Sequence, residues 1–133
     1  MSASGSSSFL RRILWTDAVI SGATGLLLAV DAGGLEAFLG APAVLLRYAG
    51  SSLLPFAALV AVLAGREPVA RGGVRVVIGL NVAWVVASGF LLLSGRIDLT
   101  ALGFVFVAVQ AVAVAALAEL QYVGLQKAEA GRA

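Results

Sequence analysis

Three polar residues, Asp17, Ser21 and Thr24, interrupt a run that is otherwise apolar or small. They lie four and seven residues apart, so on a helix they share one face. A carboxylate in that setting can do one of two things. It can accept hydrogen bonds from neighbouring helices and fix their register, or it can serve as a proton or cation site. A second set, Asn81 and Ser88, stands seven apart in its own apolar run, and the Asn81 amide can donate to the Asp17 carboxylate. Gln110 lies near the middle of the last apolar run, with Gln121 on the same face and Glu119 about one turn from the end. Trp84 is placed to pack or to wall a ligand site. Arg12 and Arg75 flank the end nearest Asp17 and are candidate charge partners for it, by snorkelling inward. Arg47, at the opposite end, is placed to reach lipid headgroups or Asp98.

The residue inventory excludes many other chemistries. The chain contains no cysteine and no histidine. Disulfide exchange, iron–sulfur ligation, thiolate or imidazole metal sites and Ser-His or Cys-His catalytic pairs therefore cannot be assembled from it. The acids are scattered, which argues against a carboxylate metal site. No catalytic, cofactor-binding or metal-binding residues are expected. The formal net charge of +2 does not call for nucleic acid, because basic residues are not clustered among aromatics.

The elements that must position these groups are membrane helices. Of the 133 residues, 61% are hydrophobic and 12% charged, against roughly 25% charged in an ordinary soluble domain. Four apolar segments, at 9–30, 43–64, 74–94 and 99–122, each reach the ~20 residues that span a bilayer. They are apolar nearly all round, without the polar stripe of a soluble bundle. An Asp at the centre of such a span costs about 2.5–3.5 kcal/mol on insertion scales, so Asp17 should face the bundle interior. The polar opening "MSASGSSS" reads as a disordered tail over 1–8, and 123–133 as a polar tail. "LEAFLG" reads as one interfacial helical turn, with Leu35, Phe38 and Leu39 dipping into headgroups. The fold expected is an all-α, integral membrane four-helix bundle.

Two longer-range patterns add to this. "DAVISGATGLLL" from Asp17 aligns without gaps on "NVAWVVASGFLLL" from Asn81, matching Asp17 to Asn81, Thr24 to Ser88 and Gly25 to Gly89. The match suggests a parallel tandem repeat of two helical hairpins. The pairs Ala18–Gly22 and Ser21–Gly25 would allow close helix approach. Lys and Arg are biased, with Arg11, Arg12, Arg66, Arg71, Arg75, Lys127 and Arg132 on one side against Arg47 and Arg96 on the other. The positive-inside rule then puts both termini in the cytoplasm.

The stretch "FLGAPAVLLRYAG" resembles a pattern in small bacterial four-helix inner-membrane proteins of the DoxX-like kind, through Gly40, Pro42, Arg47 and Gly50. The resemblance implies the topology and a bacterial inner-membrane location. The chain is also similar to the small multidrug resistance transporters, which carry an acid in the first of four helices; Asp17 would take its place. It departs from them in having Asp rather than Glu and a strong charge bias. Two functions follow as expectations. One is a non-catalytic accessory subunit, assembly partner or lipid-interacting scaffold, in contact with membrane lipid and with a larger complex or a second copy. The other is a proton-coupled carrier of a small hydrophobic or cationic solute that uses Asp17.

Overall fold

A computed structural model describes residues 2–130. The chain forms five helices: α1 (Ser2–Val30), α2 (Ala32–Leu39), α3 (Ala43–Gly65), α4 (Arg71–Ser94) and α5 (Ala101–Ala130). Four of them, α1, α3, α4 and α5, are long and apolar enough to cross a membrane, and each buries a third or less of its span inside the bundle. The outward faces carry large apolar side chains such as Val19, Val30, Phe90, Leu93 and Val112. Water is a poor solvent for such a surface, and lipid is a good one. The protein is an all-α, four-helix integral membrane bundle.

The termini differ from the sequence expectation. α1 is helical from Ser2, where a disordered tail was expected over 1–8, and α5 runs eight residues past Tyr122 to Ala130. The α5 extension is held from the side. Leu125 and Ala128 are buried, Lys127 stacks 5.5 Å from the Phe9 ring, and Glu129 pairs with Arg71 and Arg75. Met1 and 131–133 lie outside the described residues.

Helix packing is uneven. α1 packs along α3, α4 along α5, and α1 against α5, whereas α3 and α4 barely touch. The four spans thus make a ring in the order α3–α1–α5–α4 with one open edge, and α1 and α4 lie on its diagonal. The tightest crossing joins α1 to α3 at two glycines. A Cβ on Gly50 would stand 2.6 Å from both the Gly25 carbonyl oxygen and the Ala29 nitrogen. Only glycine lets the two backbones come that close.

One apolar cluster, with Leu10, Leu14, Val60, Leu63, Val74 and Val77, fills the end where the termini lie. A second, with Leu28, Ala32, Leu39, Ala41 and Leu46, fills the end under α2. α2 is thus a two-turn helix built into the bundle. Phe38 is exposed as expected of an interfacial residue, but Leu39 is buried and Leu35 packs against the second cluster instead of lying in headgroups. The α2 C-terminus is closed by Gly40 in the left-handed conformation and by Thr100, which donates its N–H to the Leu39 carbonyl and its hydroxyl to the Phe38 carbonyl.

At the opposite end Arg11 latches the α3–α4 connection. Its Nε donates to the Ala64 carbonyl at 2.9 Å, in the last turn of α3 where carbonyls lack helical partners, and its Nη2 to the carbonyl of Arg66, the residue just past the helix, at 3.0 Å. An Arg11→Ala variant should lose about 1–2 kcal/mol of stability, read as thermal unfolding in mild detergent. Glu67→Gln should change it much less, because that carboxylate, 2.8 Å from Arg11, is 80% exposed.

Candidate functional site

The interior polar residues sort into two layers stacked along the bundle. In the first, α1, α4 and α5 each contribute a side chain. Asn81 Nδ2 donates to Asp17 Oδ2 at 2.8 Å, and Gln121 Nε2 donates to the same oxygen at 2.6 Å. Ser21, one turn on from Asp17, donates its hydroxyl to Oδ1 at 2.9 Å, and Asn81 Nδ2 also bonds Gln121 Oε1 at 3.0 Å. The layer is sealed: Asp17 is 1% exposed and Gln121 is 0% exposed. Every hydrogen bond made by the carboxyl group is one it accepts. No buried side-chain nitrogen or oxygen among the described residues lacks a partner.

The helices explain why these groups meet. Asp17 sits six residues past Arg11, about 9 Å deeper into the bundle at 1.5 Å per residue. Leu14 and Ala18 flank it and belong to the buried apolar cluster, so the α1 face carrying Asp17 must turn inward. Asn81 follows Val74 and Val77 on the buried face of α4 by the same logic. The carboxylate then bridges the diagonal of the ring, joining two helices whose backbones are not in contact.

The second layer lies two helical turns further on. Trp84 Nε1 donates to Gln110 Oε1 at 2.7 Å, Gln110 Nε2 donates to Ser88 Oγ at 2.9 Å and to the Val107 carbonyl, and Ser88 donates to the Trp84 carbonyl. Thr24 faces this layer from α1 but is bonded to neither Ser88 nor Gln110. Between them opens a cavity of about 490 Å³ that runs up the gap between α3 and α4. Its walls are apolar, with Leu28, Leu45, Tyr48, Phe90 and Phe106 among them, and Arg96 stands at its mouth. That size falls within the ~300–1,000 Å³ of small-molecule pockets. On α1 the cavity comes no nearer than Thr24, two turns from Asp17; on α4 it reaches Trp84, three residues past Asn81, while Asp17 and Asn81 themselves do not line it.

Most of the residues singled out in the sequence converge: Asp17, Ser21 and Asn81 in one layer, and Thr24, Ser88, Gln110 and Trp84 around the other. Glu119 does not join them. It is exposed, in a shallow groove between α4 and α5 beside Val82, Ala115 and Tyr122. Two residues from Gln121 on a helix is about 200° around the axis, so the two cannot share a face. Arg12 and Arg75 are not charge partners of Asp17. Arg12 is exposed, and Arg75 is engaged by Glu129, nearer the end of the bundle. Neutral amide and hydroxyl donors take the place they were expected to fill. Arg47 is exposed and makes no ion pair with Asp98 among the described residues. Gln121 was expected on the face of Gln110, eleven residues or three turns away, but not as a member of the Asp17 layer, which its spacing along α5 does not reveal.

Comparison with protein-family models, curated proteins and solved structures gave no match.

Proposed function

We propose that this is a non-catalytic, lipid-interacting scaffold of the bacterial inner membrane, with both termini cytoplasmic, which works as an accessory subunit or assembly partner in a larger membrane complex. The observation that carries this reading is the state of Asp17. Its oxygens accept from Ser21, Asn81 and Gln121, and it is closed off from solvent. Such an acid ties helices together; a coupling acid must reach a solute or an aqueous path. The absence of cysteine and histidine from the sequence supports a non-catalytic role. The bias of basic residues and the DoxX-like pattern at Gly40, Pro42, Arg47 and Gly50 support the location and orientation.

The competing carrier reading makes a different demand. A proton-coupled carrier using Asp17 would move protons when a suitable solute is present. In phosphatidylcholine vesicles under an imposed pH gradient, with tetraphenylphosphonium as a lipophilic cation, the protein should leave proton flux at the level of protein-free vesicles. A flux that needs the protein and disappears in Asp17→Asn would overturn the scaffold reading.

A further inference from the structure

The cavity between α3 and α4 lies where the two halves of the sequence repeat pack differently. If α1 and α4 are equivalent, and α3 and α5 likewise, the close packing of α1 on α5 has its counterpart in α4 on α3. That counterpart is missing, because α3 and α4 barely touch. In the first polar layer the carboxylate draws the α1 and α4 side chains together. The second layer has Thr24 at the matching position, with no charge to gather donors, and there the helices stand apart around a void.

Three observations fix what suits the void. First, its lining is almost entirely apolar, and of the polar groups at its deep end Trp84, Gln110 and Ser88 are engaged with one another, which leaves the Thr24 hydroxyl alone facing the space. The floor therefore offers little to a polar ligand. Second, the cavity extends along α4 from Trp84 to Ser94, ten residues or about 15 Å, which is half the ~30 Å hydrocarbon thickness of a bilayer. It is one leaflet deep. Third, the charged side chain at the mouth is Arg96, held 5.8 Å over the Phe90 ring and without a carboxylate partner among the described residues. An unpaired guanidinium at headgroup level, above an apolar slot one leaflet deep, matches an anionic phosphate bearing an acyl chain.

We infer that the cavity is a binding site for an anionic phospholipid of the leaflet at the α2 end. One acyl chain lies between α3 and α4 with its tip against Trp84 and Gln110, and the phosphate is held by Arg96. The site rests on the lipid-interacting reading above and supplies its specificity. Its test leaves Asp17 untouched, so either can fail alone.

Trp84 reports on the site directly. The other tryptophan, Trp15, lies at the far end and is exposed, so Trp15→Phe leaves Trp84 as the sole tryptophan, excited selectively at wavelengths that the tyrosines do not absorb. This protein is placed in phosphatidylcholine vesicles containing a small fraction of either phosphatidylglycerol or phosphatidylcholine with brominated acyl chains, which quench on contact. Brominated phosphatidylglycerol should occupy the site with about fivefold preference, the size of effect one basic side chain has on anionic lipid. Arg96→Gln should reduce that preference to parity while Trp84 stays quenchable. Ala87→Phe, which fills the cavity from an exposed position on its lip, should weaken quenching by both lipids. Unchanged helicity and thermal stability identify variants that still fold. Equal quenching by the two lipids in the parent, a preference that survives Arg96→Gln, or a Trp84 shielded from both because a second copy closes the gap would each overturn the inference.

Discussion

Replacing Asp17 with alanine should cost the folded bundle about 2–4 kcal/mol. Three hydrogen bonds end on its carboxylate, and in membrane proteins such bonds average about 0.6 kcal/mol with a maximum of about 1.7. To this is added the penalty of leaving amide hydrogens of Asn81 and Gln121 buried, at roughly 1–3 kcal/mol for an unsatisfied group. The small side chain also leaves a gap beside Leu14 and Ala18. Asp17→Asn should be milder. It keeps the shape and one acceptor oxygen, and Gln121 can turn its own carbonyl toward the new amide. Reversible unfolding in bicelles measures both. A loss below about 1 kcal/mol for Asp17→Ala would mean that the carboxylate ties nothing together.

The second large effect should come from Gly50→Leu, expected at about 3 kcal/mol or more because overpacking here cannot be relieved by turning a side chain. The atoms that even a Cβ would meet are the backbone oxygen of Gly25 and the nitrogen of Ala29, so α1 and α3 must separate. Gly79 is the control. A Cβ there meets nothing within 4 Å, and Gly79→Ala should be neutral or gain up to ~1 kcal/mol through helix propensity. The pair of variants separates the crossing from the general intolerance of helices to change. Comparable losses from both would show that the Gly25–Gly50 approach is not what holds α1 on α3.

These two sites also show what the sequence made legible. The four spans could be read directly, because apolar residues on every face leave a long helix no stable place in water. The meeting of Asp17 and Asn81 was readable from two facts: an acid must turn away from lipid, and a donor occurs at the matching place 64 residues later. Gln121 was harder, since its role depends on how far α5 slides along α1, and side-chain spacing within one helix does not determine that. The buried face of α2 was hidden for a similar reason. Eight residues with leucines at 35 and 39 suit either headgroups or protein, and Thr100, from a distant turn, closes the helix onto the bundle. The cavity was not legible at all. It arises because α3 and α4 fail to pack, and a pattern of apolar residues does not say which of two apolar faces will find a partner.

Asp17 and Asn81 form a clasp across the diagonal of the bundle. A double-mutant cycle of Asp17→Ala and Asn81→Ala, read as unfolding free energy in bicelles, tests that clasp most directly. The two residues are on helices whose backbones do not touch, so coupling between them has to pass through the side-chain layer they share with Gln121. A coupling energy of about 1 kcal/mol or more, with the double variant little worse than Asp17→Ala alone, is the expected result. Losses that add to within about 0.5 kcal/mol would contradict the clasp and leave the buried carboxylate of α1 free for another role.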